Sequence, residues 1–221
     1  MEAKRPVSTS RRGFSGPFAN RADAGRALAD RLSALKLRDP VVVGLPRGGV
    51  VVAAEVARIL EAPLDIVVVR KVGAPWNPEL ALGAVGEGRV LVRNEDILRV
   101  VGLGEAAFRV AAQEAAAQVE TRSLRLRGGR PPLEARGRNV ILVDDGIATG
   151  ATAEAAIRVL KAQGAARVVL AVPVATPDAV AHLRTSADEV IVVDAPPELG
   201  AIGAWYADFS EVTDDQVLAL L

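Results

Sequence analysis

Uninterrupted apolar runs alternate along this chain with segments whose apolar positions recur every three or four residues. The runs are rich in valine, isoleucine and leucine, which is typical of strands buried on both faces of a sheet. They occupy residues 41–45, 64–69, 140–143, 167–172 and 189–193. The helical spacing occupies residues 22–35, 50–60, 105–126, 153–163 and 177–187. Strands separated by helices predict an α/β fold, with a Rossmann-like, open and mostly parallel sheet that carries helices on both faces.

One segment interrupts this alternation. Residues 72–89 are rich in glycine, proline and asparagine, so we predict a long irregular stretch, followed by a short strand at 90–92. Irregular stretches of this length within a compact domain are usually lids or disordered segments. Its glycines would supply hinges, and they are Gly73, Gly83, Gly86 and Gly88.

Composition narrows the class of protein. The 221 residues suffice for one α/β domain, and half of them are hydrophobic. The 27 basic and 27 acidic residues cancel, which disfavours a nucleic-acid partner. The sequence has no cysteine, so disulfides and cysteine-ligated metals are excluded. No apolar run approaches the roughly 20 residues that span a bilayer, so we expect no membrane partner.

The N-terminus resembles an export signal at first sight, because Arg11 and Arg12 form a twin-arginine pair. Such a signal continues into an apolar stretch, whereas residues 15–21 are polar and interrupted by a proline. We therefore predict that residues 1–13 are a flexible tail and that the protein is cytoplasmic.

The segment after the strand at 140–143 contains the most informative chemistry. It consists of two adjacent carboxylates, Asp144 and Asp145, and a loop of small residues, Gly146-Ile147-Ala148-Thr149-Gly150-Ala151-Thr152. Carboxylates accept hydrogen bonds from sugar hydroxyls. A loop rich in glycine and threonine that opens a helix presents backbone N–H groups and hydroxyls to a phosphate. The combination predicts a site for a sugar phosphate.

This segment resembles the signature with which the type I phosphoribosyltransferases bind phosphoribosyl pyrophosphate (PRPP). The resemblance implies the fold of that family. It also implies that Asp144 and Asp145 hold the ribose hydroxyls, and that residues 146–152 bind the 5′-phosphate with the help of Thr149 and Thr152.

Two other strand ends are expected at the same edge of the sheet, because parallel strands meet at their carboxyl ends. The segment Pro46-Arg47-Gly48-Gly49 is similar to the family's pyrophosphate loop, which contains a non-proline cis peptide in many members. The pair Arg70 and Lys71 is similar to the cations that several purine enzymes place beside pyrophosphate. The resemblance implies that Arg47, Lys71, Asp144 and Asp145 are the residues most directly involved in catalysis.

The resemblance also gives roles to the remaining irregular segments. Residues 72–89 would be the family's flexible lid, in which Glu79 and Glu87 are carboxylates that could act on the substrate. Residues 14–21 and 195–221 would form a small hood. Its aromatic residues would stack on the acceptor base or, alternatively, pack against the core; they are Trp205, Tyr206 and Phe209.

One position in the signature bears on the acceptor. Enzymes for 6-oxopurines carry an aspartate where this chain has Ala148, so we expect neither a hypoxanthine nor a guanine enzyme of the usual kind. Adenine enzymes also carry Ala-Thr-Gly, which makes adenine one candidate. Over residues 18–215 the chain resembles a bacterial group of phosphoribosyltransferase-like proteins, and this wider resemblance leaves the acceptor open.

Two basic features have simpler interpretations. His182 lies in a predicted surface helix, where a catalytic role is not expected. Six arginines, which we call the arginine cluster, are interpreted as a solvated helix end, with contact to nucleic acid or pyrophosphate as the alternative; they are Arg122, Arg125, Arg127, Arg130, Arg136 and Arg138.

The expected activity is transfer of a phosphoribosyl group from PRPP to a nitrogenous acceptor, in nucleotide salvage. The family resemblance implies Mg²⁺ that arrives with PRPP, no metal ligands that can be assigned to the protein, and a homodimer. Two alternatives remain open, namely a regulator that senses PRPP or nucleotides without catalysis, and a hydrolase of a sugar phosphate.

Overall fold

The computed structural model of the protein describes residues 17–74 and 76–221, with the backbone alone at 78 and 79. The strands are β1 (Pro40–Gly44), β2 (Leu64–Ile66), β3 (Val69–Ala74), β4 (Asn77–Gly86), β5 (Val90–Arg93), β6 (Asn139–Val143), β7 (Arg167–Val174) and β8 (Glu189–Asp194). The helices are α1 (Arg21–Ser33), α2 (Gly48–Leu60), α3 (Glu95–Val101), α4 (Glu105–Arg127), α5 (Ala151–Ala162), α6 (Pro177–Leu183) and α7 (Asp214–Leu220). Single 3₁₀ turns span Glu87–Arg89 and Ile202–Trp205.

The central sheet confirms the predicted fold class. Its strand order is β2-β1-β6-β7-β8, and every neighbouring pair is parallel. Side chains alternate between its faces, so Val42 packs with α1 and α2 whereas Val41 and Val43 pack with α5. Both faces are therefore covered by helices, which explains why these strands read as continuous apolar runs.

A second, antiparallel sheet was not predicted. Its order is β3-β4-β5; β5 confirms the short strand predicted at 90–92, whereas β4 and the end of β3 occupy residues that we predicted to be irregular. The predicted strand 64–69 is wrong as a single element, because β2 ends at Ile66 and Val69 already begins β3. The pair Arg70 and Lys71 consequently lies within β3 of the second sheet rather than at the end of a core strand.

Glycines misled the prediction for this region because they serve close packing rather than mobility. A Cβ added to Gly83 would lie 3.3 Å from the ring of Phe108, and one added to Gly86 would lie 2.9 Å from a methyl carbon of Val159. Both glycines let β4 approach its neighbours closely.

Short helices were also missed, and one predicted helix was too long. Each of α3 and α7 has seven residues, too few for a periodic signal, although each begins at a side-chain cap. Thr213 and Gln216 form a capping box at the start of α7, a signal that the sequence contained. The predicted helix 177–187 ends at Leu183. No helix in the described residues is long and apolar enough to cross a membrane.

A buried ion-pair network, which we call the clasp, joins the two sheets. The guanidinium of Arg127 donates from Nε to Glu87 (2.7 Å) and from Nη1 to Asp65 (2.6 Å). The two carboxylates also accept backbone N–H groups, Glu87 from Val68 (2.9 Å) and Asp65 from Leu133 (2.7 Å). Glu87 is thus a buried structural residue, neither a lid carboxylate free to act on the substrate nor a solvated side chain, and the interpretation of Arg127 as part of a solvated helix end is wrong.

The segment around Phe18 pairs with the segment around residues 205–207, both of which we assigned to the hood; the role of the hood stays a prediction. The N–H of Phe18 donates to the carbonyl of Trp205, and the N–H of Ala207 donates to the carbonyl of Phe18, each at 2.8 Å. Helix α7 continues from the hood to α4 and α2, and the side chain of Val217 is fully buried there. Residues 1–13 of the predicted tail, and 14–16 of the predicted hood, lie outside the described residues.

Candidate functional site

The loop after β1 lies directly against the acidic pair that follows β6. The N–H of Leu45 donates to the carbonyl of Val143 (2.8 Å), which fixes the two strand ends side by side. A Cβ on Gly49 would lie 2.8 Å from the Cα of Asp144, and a Cβ on Gly48 would overlap the carboxylate of Asp145. These glycines therefore allow the two segments to touch.

The peptide bond between Pro46 and Arg47 is cis, as the resemblance implied for this loop. Helix α2 begins at Gly48, one residue further on.

The loop of residues 146–150 is held by the end of β7. The N–H of Ile147 donates to the carbonyl of Val174 (2.9 Å), and the hydroxyl of Thr176 donates to the carbonyl of Ala148 (2.8 Å). Gly150 has a φ of +83°, which favours glycine, and it precedes the first residue of α5.

This geometry aims the start of α5 at solvent. The first turn of a helix has backbone N–H groups without partners in the helix, and its positive end attracts anions. The side chains of Thr149 and Thr152 are exposed beside it. The loop thus has features that favour phosphate binding, and its role as the phosphate site stays a prediction.

An open cleft of about 930 Å³ connects this loop with the second sheet and α4. Its lining includes Arg70 and Lys71 from β3 together with Thr149, Ala151 and Thr152. The two cations of β3 and the predicted phosphate loop thus line the same cleft. A smaller adjoining cleft of about 210 Å³ is lined by Pro46, Arg70 and Thr152, and also by Arg122 of α4.

Sequence reasoning missed the counter-ion of the acidic pair. Arg21, in the first turn of α1, donates from Nε to Asp145 (2.8 Å) and from Nη1 to the carbonyl of Ser210 (2.8 Å). Its guanidinium carbon lies 3.8 Å from the ring centroid of Phe209, a cation–π distance. No motif marks this arginine, since its partners lie more than 120 residues away.

The two carboxylates differ in their surroundings. Burial raises the pKa of Asp144 well above its usual value, and the neighbouring charge of Asp145 raises it further. The N–H of Asp145 donates to Oδ1 of Asp144 (2.9 Å), which offsets part of that cost. An ionised Asp144 would gain from additional donors, and sugar hydroxyls are groups of this kind.

Arg47 is engaged with the C-terminal segment in this structure. Its Nη2 donates to Glu211 (2.6 Å), and its Nη1 lies 4.0 Å from Asp214. The side chain of Glu211 is 77% exposed, so this contact is easily exchanged. A role of Arg47 toward pyrophosphate stays a prediction that requires this pair to open.

The three hood aromatics have different surroundings. The ring of Tyr206 lies between those of Phe18 and Phe209, with centroids 5.5 and 4.9 Å away, and its hydroxyl donates to the carbonyl of Asp145. Because Tyr206 is only 5% exposed, its ring packs in this structure, which is the alternative that the sequence left open for the hood aromatics; base binding by Tyr206 stays an untested prediction. For Trp205 and Phe209, which are half-buried, base binding stays a prediction.

The remaining candidates lie elsewhere or cannot be placed. His182 is exposed on α6 and contacts Glu154 (2.9 Å), in keeping with the predicted surface position. The side chain of Glu79 lies outside the described residues. The described part of the chain contains no group of three or more histidine, aspartate or glutamate side chains arranged to hold a metal ion.

Known proteins resemble this chain closely. Two Mycobacterium tuberculosis proteins, MT0597 and Rv0571c, carry the name "Putative phosphoribosyl transferase" and are each 48% identical to it over 204 residues. The match covers 92% of this chain and 46% of each relative, so the chain spans about half of their length. The crystal structure of TT1426 from Thermus thermophilus is 50% identical, with a TM-score of 0.88 over 92% of this chain and 97% of that one.

The family comparison agrees with the site. The family described as "Phosphoribosyl transferase domain" matches residues 19–198, which include the acidic pair, the loop after β1 and the predicted phosphate loop. The match covers most of the chain, and the geometry of the strand ends suits the signature of that family. The chain therefore belongs to the phosphoribosyl transferase family.

Proposed function

We propose that the protein transfers the 5-phosphoribosyl group of PRPP to a nitrogenous base and releases pyrophosphate. One observation carries the proposal. The acidic pair, the loop of residues 46–49 and the predicted phosphate loop lie together at the carboxyl ends of β1 and β6, and the predicted phosphate loop lines a cleft that is also lined by Arg70 and Lys71. Each part suits a different portion of PRPP.

The roles follow from the chemistry of each group. The N–H groups at the start of α5, with Thr149 and Thr152, would hold the 5′-phosphate. Asp144 and Asp145 would accept hydrogen bonds from the ribose hydroxyls. The charge of the leaving pyrophosphate would be balanced by the cations, which are Arg70, Lys71 and, once its pair with Glu211 opens, Arg47.

The reaction is a displacement at ribose C1. A nitrogen lone pair of the acceptor forms the new C–N bond, and the bond from C1 to the pyrophosphate oxygen breaks with its electrons leaving on pyrophosphate. The protein would accelerate this step chiefly by holding the partners in line and by stabilising the leaving charge.

Magnesium would enter with PRPP. Mg²⁺ prefers phosphate oxygens and water to an all-protein cage, and the site offers one or two carboxylates rather than a full set of ligands. The bound ion would neutralise part of the charge on pyrophosphate.

The residue at position 148 narrows the choice of acceptor. Ala148 offers no carboxylate to a 6-oxopurine, so adenine and other bases are favoured over hypoxanthine and guanine. The resemblance also leads us to expect a homodimer that acts in the cytoplasm.

The test is pyrophosphate release from Mg²⁺-PRPP by the purified chain, with a panel of purines, pyrimidines and other nitrogen acceptors. Asp145→Asn should weaken PRPP binding by about 1–3 kcal/mol in calorimetry, because a charged hydrogen-bond partner is lost. Asp178→Asn, the same change at an exposed position of α6, is the matched control and should leave binding unchanged.

The outcomes separate the candidate functions. Release that depends on one acceptor would establish a transferase and identify its substrate. Release without any acceptor would favour the hydrolase. Binding of PRPP without release would favour a sensor, and unchanged PRPP affinity in Asp145→Asn would contradict the ribose assignment.

A further inference from the structure

The fold divides the arginine cluster into residues with different surroundings. Arg127 is buried in the clasp, and Nε of Arg125 lies 2.5 Å from Asp214 of α7. Arg122, in contrast, has no carboxylate partner among the described side chains, and the same is true of Arg70 in β3. These two guanidiniums therefore carry uncompensated positive charge within the described part of the protein.

The two uncompensated guanidiniums line one small cleft. The cleft of about 210 Å³ is bordered by Arg70 and Arg122, together with Pro46 of the loop after β1 and Thr152 of the predicted phosphate loop. Two positive charges that line the same cleft repel each other. A polyanion bound between them would be attracted to both guanidiniums, and this attraction would outweigh their mutual repulsion. The cleft thus combines two planar donor groups with two segments that already suit a phosphorylated ligand.

Arg122 belongs to a row of polar residues on the face of α4 that lines the two clefts. Glu114, Gln118 and Arg122 recur every four residues, so they share one face of an otherwise alanine-rich helix. Glu114 lines the larger cleft, Arg122 lines the smaller one, and Gln118 lines both. This face of α4 therefore runs along the candidate site, with its arginine at the end nearest the loop after β1.

We propose that Arg122 is a pyrophosphate-binding residue that acts together with Arg70. The inference rests on the proposed function, because PRPP supplies a pyrophosphate group to this part of the cleft. The planar guanidinium can donate two parallel hydrogen bonds to phosphate oxygens, which a lysine cannot. Arg122 is thus the member of the arginine cluster for which the pyrophosphate contact left open by the sequence applies.

The experiment measures calorimetric affinities of the full chain for Mg²⁺-pyrophosphate, Mg²⁺-PRPP and ribose 5-phosphate. Arg122→Ala should weaken pyrophosphate and PRPP binding about ten- to a hundredfold, the range for losing a charged hydrogen-bond partner. Its affinity for ribose 5-phosphate, which has no pyrophosphate, should change less than about twofold. Arg122→Lys should lose part of the affinity, because it keeps the charge without the planar pair of donors.

The matched control is Arg130→Ala, which removes the same charge from an exposed position just beyond α4. It should leave all three affinities unchanged. If wild-type protein binds PRPP and Arg122→Ala behaves like Arg130→Ala, the role of Arg122 is refuted while the proposed function stands. An equal loss of ribose 5-phosphate affinity would also refute it, since the effect would then be structural. Wild-type protein that binds neither PRPP nor pyrophosphate overturns both proposals.

Discussion

The guanidinium of Arg21 orients the carboxylate of Asp145 next to that of Asp144. Arg21 neutralises Asp145, and its remaining donors and its flat face are used by the carbonyl of Ser210 and the ring of Phe209. Asp145 is therefore held in one orientation beside Asp144. We interpret Arg21 as a positioning residue for the acidic pair.

Loss of this guanidinium should affect both stability and binding. Arg21→Gln leaves Asp145 without its counter-ion, so we expect the free energy of unfolding to fall by about 1–3 kcal/mol. PRPP affinity should fall as well. Urea unfolding and calorimetry measure the two effects. Arg26→Gln removes an exposed pair with Asp23 from the same helix and should cost less than about 1 kcal/mol. Equal effects of the two substitutions would contradict the positioning role.

The pH dependence of stability provides a test at Asp144. Its pKa is raised in the folded state above the usual 3.8, so its contribution to stability is present at acidic pH and is lost as the pH rises through the raised value. Asp144→Asn removes the group whose ionisation lowers the stability, and it keeps an oxygen that can accept the hydrogen bond from the N–H of Asp145. We expect the variant to gain about 1 kcal/mol over wild type at neutral pH, a common gain when a destabilised functional residue is replaced.

The control for this prediction is the pH profile itself. The difference in free energy of unfolding between Asp144→Asn and wild type should grow as the pH rises above about 4. A difference that stays constant from about pH 4 to about pH 8 would contradict the assignment. PRPP affinity should fall in the variant while its free energy of unfolding rises. The two measurements therefore distinguish the role of Asp144 in binding from its effect on stability.

At the scale of elements, the clasp makes α4 and the second sheet depend on one buried side chain. Arg127→Met would leave Asp65 and Glu87 buried without their common counter-ion, and we expect a loss of about 3–5 kcal/mol in the free energy of unfolding. Arg125→Met, two residues away, removes a guanidinium that is 74% exposed from its pair with Asp214 and should cost less than about 1 kcal/mol. Chemical denaturation measures both, and similar losses would show that the clasp is not needed.

The elements also show what a sequence can and cannot predict. The core strands and the long helices were predictable because burial on both faces gives continuous apolar runs and amphipathic helices give a clear period. The second sheet was not predictable, since Gly83 and Gly86 resemble turn residues until their neighbours Phe108 and Val159 are placed. The acidic pair and the phosphate loop were readable because they are contiguous. Arg21 was not readable, because only the fold brings it to the acidic pair, and the sequence could not separate Arg122 from the other arginines of the cluster.

At the scale of the whole molecule, the C-terminal segment is part of the core as well as of the hood. Its buried residues pack against both sheets and the first helix; they are Leu199, Tyr206, Val212 and Val217. Ile202 would contact any side chain added at Gly146, so the hood also covers the signature. The C-terminal segment therefore contributes to the packing of the fold in addition to the acceptor-binding role that we predicted for it.

Removal of residues 199–221 should consequently destabilise the protein as well as alter its specificity. Burial of four large apolar side chains suggests a loss of more than about 4 kcal/mol. Removal of the predicted tail, residues 1–13, is the control and should have little effect on unfolding. A shortened chain that still unfolds cooperatively at an unchanged denaturant concentration would contradict this view of the C-terminal segment.

The meeting of the chain ends at Asp145 has a consequence for the order of events during translation. A nascent chain that has emerged as far as residue 198 contains Arg21, both acidic residues and the whole phosphate loop. It still lacks the tyrosine hydroxyl at 206 that holds the backbone of Asp145, and the carbonyl at 210 that holds Arg21. The acidic pair would therefore reach the arrangement described here only after residues 206–210 have been synthesised and have folded back onto it.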